Sequence, residues 1–379
     1  MSSSIFNCKV MKSTLYHPLS ILMVLSLLIA SSLLSCKKTD NGAPPSITRV
    51  RTVNKVVNQQ PVALDSTVTA GNLNGLYAII GQNLATASSV TFNGVAATIN
   101  PALNTNEAVI VTIAPNTPYS GQSNKLTITT NYGTATFDFT VLQPAPTITD
   151  VSQFAGNSGD IITITGSALD QATAVKFGTV AGQIQTNTTT QITVKVPANS
   201  FGPISVTTSG GTSTGPSVSY DGIAQAYLVP FGFSNILYDD AINAGYDFSF
   251  NGVTSDPQST EVVKRGTSAI KVAYTGSYAG YAVGSGTPIN LVGKTYVKFS
   301  IYGVTGTEGK VIKVALNDFD NRAVNVVLHE KKWSTYVIPI NLFQNSVAPG
   351  TPTSLNYIGF QDLSGTPPTT IYLDDIGIY

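Results

Sequence analysis

The chain repeats itself, and an internal repeat constrains a fold more tightly than any single motif because it demands two copies of one unit. Residues 79–99 read IIGQNLATASSVTFNGVAATI and residues 164–184 read ITGSALDQATAVKFGTVAGQI. At one constant offset Gly81 matches Gly166, Leu84 matches Leu169, Val90 matches Val175, Phe92 matches Phe177 and Ile99 matches Ile184. The flanks follow suit: PSITRV at 45–50 corresponds to PTITDV at 146–151, and VIVTIAP at 109–115 to QITVKVP at 191–197. Each copy is a series of short alternating strands, such as Ile162 with Ile164 and Val175 with Phe177, punctuated by Gly, Asn and Pro. That is the pattern of a β-sandwich.

After about Ala226 the pattern changes but the period does not. Alternation at every second residue recurs in AIKVAY (269–274), YVKFSIY (296–302), VIKVAL (311–316), VNVVL (324–328), TYVIPI (335–340), NYIGF (356–360) and TIYLDDIGI (370–378), and no segment carries a sustained helical period. Eight or more strands in this span predict one jelly-roll β-sandwich. The expected class is therefore all-β: two tandem sandwiches, 45–143 and 145–220, then a jelly roll over 226–379. The junction Gln143-Pro144-Ala145-Pro146 favours an extended backbone, so the two repeats are expected end to end as stiff spacers.

Charge and cysteine bound the chemistry. Only 11% of the 379 residues are charged, with Lys plus Arg and Asp plus Glu at 20 each, so no basic patch points to nucleic acid. Lys9 and Lys12 precede an apolar run, Leu19 to Leu34, that ends in LLSC at Cys36. A positive n-region, an apolar h-region and a small residue before the cut describe an export signal over 1–36, with Met1 and Met11 both open as the start. Cys8 falls within it, which leaves the exported chain no disulfide. A polar tether, 37–44, follows.

Four resemblances add to this. LLSC followed by a hydrophilic tail resembles a bacterial lipoprotein box, which implies acylation of Cys36 and anchoring in outer-membrane lipid, facing the cell exterior. The order P-x-I-x-x-V, I-x-G-x-x-L, V-x-F-x-x-V, V-x-x-P resembles the IPT/TIG family of immunoglobulin-like domains, in both repeats. LYDDAINAGYDFSF, GTSAIKVAY, KVALND, KWSTYVIPI, IGFQDLSG and IYLDDIGIY together resemble the galactose-binding-like jelly rolls of non-catalytic carbohydrate-binding modules. In this order the parts resemble the SusE/SusF-like surface glycan-binding lipoproteins of Bacteroidetes. The resemblance implies a monomeric, non-enzymatic protein that captures polysaccharide or oligosaccharide for a SusC/SusD-type uptake complex. The alternative is a structural or adhesive surface lipoprotein whose last domain binds a protein.

The sharpest question is posed by GYDFSF, where Tyr246, Phe248 and Phe250 fall at every second position. They either fill the sandwich core or form a platform for the apolar face of a sugar ring. Tyr278 and Tyr281 are further candidate rings, and Asn317, Gln361 and Asp362 are candidate rim groups for hydroxyls. Asp239, Asp240, Asp374 and Asp375 lie on the opening and closing strands, and in related jelly rolls such strands hold a structural calcium. Asp318 and Asp320, in NDFDN, read as a polar hairpin turn, and Trp333 reads as core. His329, the one histidine after the leader, has no cysteine or second histidine beside it to form a nucleophilic or metal centre.

Overall fold

The structure is a computed structural model that describes residues 42–57, 60–63, 66–218, 227–243 and 245–379. The leader, Cys36 and most of the tether lie outside the described residues. The described residues form two compact units, divided between Leu142 and Gln143. No helix among the described residues is long and apolar enough to cross a membrane.

The first unit is a two-sheet sandwich. Leu76–Gln82 is flanked by Ser46–Thr52 and Ala108–Thr112 in one sheet, and Lys125–Thr130 by Gly133–Asp138 and Ser89–Phe92 in the other. Inward residues of both sheets, among them Ile79, Val90, Phe92, Val111 and Ile128, are fully buried, as the alternation predicts. The extra length near residues 53–75 carries a hairpin of Asn54–Val57 with Gln60–Ala63.

The second unit opens with the same sandwich. Ile161–Ser167 pairs with Thr147–Val151 and Gln191–Lys195, and Ala174–Phe177 with Gly202–Thr208. The repeated glycine has one physical cause in both copies. A Cβ on Gly81 would lie 1.8 Å from the Ser46 carbonyl oxygen, and a Cβ on Gly166 1.8 Å from that of Thr147. Each glycine faces a register shift in the neighbouring strand, at Ile47/Arg49 and at Ile148/Asp150, where the backbones approach too closely for a side chain.

The expected start of the jelly roll at 226 is displaced. Pro230–Phe231 pairs with Gly202–Thr208, Val229 and Phe231 lie in the core of the second sandwich, and Phe231 meets Phe177 edge-on at 4.8 Å. The jelly roll proper begins at Asn235–Asp239, which pairs with the closing strand Thr369–Ile378. One of its sheets adds Ala269–Tyr274, Val253–Ser259, Tyr296–Gly303 and Trp333–Pro339; the other runs Gly245–Phe250, Gly280–Asn290, Ser354–Asp362, Val311–Leu316, Ala323–Val327. Their shared core is fully buried and rich in tyrosine. The hydroxyls of Tyr238, Tyr274 and Tyr336 donate to the carbonyls of Pro257, Phe360 and Val327, which lets polar tips sit inside at little cost.

The second sandwich and the jelly roll are locked together, so the second repeat is no free-standing spacer. Lys298, 1% exposed, donates to the carbonyls of Phe154 (3.2 Å), Pro230 (2.6 Å) and Gly232 (2.9 Å), with the Phe233 ring 4.4 Å away. Three donors meet three acceptors, which satisfies a buried ammonium.

Candidate functional site

The strand Gly245–Phe250 sits at the edge of the five-stranded sheet, paired only with Gly280–Asn290. Tyr246, Phe248 and Phe250 all project from the sheet's outer face, away from the core. Tyr246 is 45% exposed and the other two are half-buried. Opposite them in register lie Gly284, Ala282 and Gly280 on the next strand, and beyond these Tyr357, Gly359 and Gln361. The face is thus made of large rings set over residues with almost no side chain.

Those glycines decide the geometry. A Cβ on Gly284 would fall 2.4 Å from Cζ of Tyr246, one on Gly280 2.2 Å from Cζ of Phe250, and one on Gly359 2.1 Å from Cζ of Phe319. Each ring lies against bare backbone. Phe319 and Tyr357, which sequence reasoning missed, complete the patch. Neighbouring rings run Phe250 to Phe319 (5.3 Å), Phe319 to Tyr357 (5.9 Å), Tyr357 to Phe248 (5.1 Å) and Phe248 to Tyr246 (6.2 Å). These spacings and the mixture of stacked and edge contacts are those of mutually supporting aromatic pairs.

The NDFDN turn explains how Phe319 arrives there. Asp318 accepts from the amides of Asp320 (2.8 Å) and Asn321 (3.1 Å) and from the Asn321 side chain (3.1 Å). The Asn321 side chain and the Asp320 amide hold its carboxyl below the usual range. The turn is polar, as expected, but its central phenylalanine is delivered onto the platform.

The other candidates divide. Tyr278 is 57% exposed with φ +54, a left-handed conformation unusual for a bulky residue. Its carbonyl accepts from Nε2 of Gln361 at 2.9 Å, which ties its loop to the Phe250 end of the platform. Gln361 shares its row with Lys313 and Asn325, so polar groups border the rings at that end. Tyr281, in contrast, is fully buried on the inner face, and its hydroxyl donates to Asp247 at 3.0 Å. Successive residues of a strand point to opposite faces, so Tyr281, between Gly280 and Ala282 of the platform rows, turns into the core. Asp362 is 1% exposed and accepts from the amide and hydroxyl of Ser364, which makes it a turn cap rather than a rim group. Asn317 is likewise consumed: its amide donates to the Ser354 carbonyl and its oxygen accepts from the amides of Asn356 and Tyr357.

The acidic cluster also differs from expectation. Asp239, Asp374 and Asp375 do converge, with one oxygen of each within 4.8 Å of the others. Arg265 stands among them, however, Nη2 at 2.6 Å from Asp239 and Nε at 2.7 Å from Asp375. Asp374 accepts from the amides of Lys264, Arg265 and Asp375, and burial, then the neighbouring Asp375, pushes its carboxyl up to about 7. Burial works against the Arg265 charge, but Asp375 and Asp239 outweigh it and hold the proton more firmly. Asp240 faces elsewhere, accepting from Thr267 (2.6 Å) and Ser268 (2.8 Å). This donor set does not fit calcium: a guanidinium already supplies the positive charge, and calcium needs six to eight oxygens free to turn inward.

Trp333 is half-buried on the outer face of the other jelly-roll sheet, 5.7 Å from Tyr302, outside the core cluster. His329 pairs with Glu308 at 3.1 Å.

The comparisons with known proteins agree with this architecture. Residues 146–220 match the model of the IPT/TIG domain. An IPT/TIG domain-containing protein of Bacteroides ovatus is 28% identical over 188 residues, which are 44% of this chain and 37% of the relative. The chain therefore spans well under half the length of that relative. Among solved structures, SGBP-B from a complex xyloglucan utilization locus in Bacteroides uniformis aligns over 88% of this chain and 99% of its own at 14% identity, TM-score 0.43. The surface glycan-binding protein PbSGBP-B from Prevotella bryantii covers 89% of this chain and 98% of its own at 17% identity, TM-score 0.51. The chain thus carries an IPT/TIG domain at 146–220, is related in sequence to a Bacteroides IPT/TIG protein, and shares its fold with the Prevotella protein.

Proposed function

We propose that the protein is a non-catalytic, cell-surface glycan-binding lipoprotein, anchored through acylated Cys36, that captures polysaccharide on the five-ring face and works beside a SusC/SusD-type uptake complex. One observation carries the reading: five aromatic side chains lie contiguous and solvent-facing on one sheet, three of them seated on glycines that keep the face open. Apolar sugar faces stack on such rings, and hydroxyls are met by polar groups at the border, here Gln361, Lys313 and Asn325. The shared fold with a protein described as a surface glycan-binding protein supports it.

Affinity electrophoresis and calorimetry against a panel of plant and microbial polysaccharides test it. Binding to at least one neutral polysaccharide is expected, without release of reducing ends. Failure to bind any of them, or binding that survives removal of both Tyr246 and Phe248 rings, would refute it.

A further inference from the structure

A cavity of about 240 Å³ opens where the second sandwich meets the jelly roll. The locked junction makes it a fixed feature: Gly202 pairs with Phe231 beneath it, and Lys298 ties the segments around Phe154 and Gly232. Gly232 keeps it open. Its φ is +78, and a Cβ there would lie 3.0 Å from both Cδ1 of Phe201 and the Ser200 carbonyl.

Its lining combines three kinds of surface. Phe201 is 52% exposed and Ile236 37%, so among the described residues one wall offers a partly open apolar face. Among the described residues, the side-chain amides of Asn157 and Asn199 make no hydrogen bond within the chain. Asp239 and Arg265 also line the cavity, an acceptor beside a donor held in place by their ion pair.

We propose that this junction cavity binds a single neutral sugar unit, as a chain end or side branch, at a site separate from the aromatic platform. An aromatic face with planar amides and a fixed donor–acceptor pair matches a pyranose, whose ring is apolar and whose adjacent hydroxyls each donate and accept. Charge disfavours an anionic sugar: Asp239 is the more exposed partner of its ion pair with the largely covered Arg265, so the charge nearest the opening is a carboxylate. Size selects one unit, because drug-sized ligands occupy cavities of roughly 300–1,000 Å³. The proposal does not depend on the platform reading, since the two sites share no residue.

The test uses the whole protein carrying Tyr246→Ala and Phe248→Ala, isotope-labelled, titrated with methyl β-glucopyranoside, methyl β-galactopyranoside, methyl β-xylopyranoside and methyl β-glucuronide. Expected are saturable millimolar shifts of the amides of Asn157, Asn199 and Gly232 and of the Arg265 side chain with at least one neutral glycoside. These shifts should weaken at least about tenfold in Phe201→Ala, about 1.4 kcal/mol, while signals of the core remain unmoved. Absence of shifts with all three neutral glycosides, equal shifts in Phe201→Ala, or tighter binding of the glucuronide would each overturn the proposal. Polysaccharide binding that fails on the platform while the cavity shifts persist would refute only the proposed function.

Discussion

Replacing Tyr246 with alanine separates a platform ring from a core ring in one experiment. Tyr246 is 45% exposed, so just over half its surface is covered in the folded state. A fully buried aromatic removes about 150–250 Å² from water, so roughly 80–140 Å² is at stake here. At about 25 cal/mol per Å² that is at most about 2–3.5 kcal/mol, and a compact unfolded state together with the retained alanine methyl brings it to about 1–2 kcal/mol. A domain stable by about 5–15 kcal/mol stays folded. Loss of a stacked sugar is expected to cost about 2 kcal/mol of binding, roughly 30-fold. Gly284→Ala is the sharper companion. Its new methyl would sit 2.4 Å from Tyr246 Cζ, so the ring must lift off the sheet although no ring is removed. Gly284 has no left-handed φ to forbid alanine, so stability should change by no more than about 1 kcal/mol while binding falls as in Tyr246→Ala. Calorimetry for affinity and urea unfolding for stability read both. If Tyr246→Ala costs the roughly 3–5 kcal/mol of a core aromatic, or if Gly284→Ala binds like wild type, the reasoning fails.

The acidic cluster predicts indifference to calcium: chelation should leave the melting temperature unchanged, whereas Arg265→Leu, which strands Asp239 and Asp375, should cost about 3–5 kcal/mol. A calcium-dependent rise in melting temperature of the wild type would contradict this. Lys298→Met leaves three carbonyls without a donor and should destabilise the second unit by about 2–5 kcal/mol, measured by denaturant unfolding. Burial holds the folded Lys298 ammonium down at about 7, so between there and the ordinary lysine value of about 10.4 the folded state binds fewer protons than the unfolded. That contribution is present above the ordinary value and lost as pH falls through about 7, so wild-type stability should rise relative to Lys298→Met as pH climbs across this window; a constant difference would refute it. For the anchor, Cys36→Ala should abolish incorporation of labelled palmitate and leave the protein unprocessed or mislocalised, and unchanged labelling would place the acyl group elsewhere.

Local regularities were legible in the sequence because they are short-range. Period-two alternation follows from the geometry of one strand, so the strands, the repeated sandwich with its paired Gly81 and Gly166, and the all-β class could be read without coordinates. The polar NDFDN turn was legible for the same reason, since its hydrogen bonds close within four residues. Facing was not. Alternation says that Tyr246, Phe248 and Phe250 share a side but not which side is buried, and that depends on which sheet covers the strand. The edge position of Gly245–Phe250 and the glycines opposite it in register turned the rings outward. The same choice sent Tyr281 inward and brought Phe319 and Tyr357 from distant segments to complete the patch. Arg265 meets Asp375 across 110 residues, and nothing near either one announces the pair. Such contacts are made by chain closure: strand order and register assemble groups that are far apart in sequence, and only the packed sheets decide which of them meet.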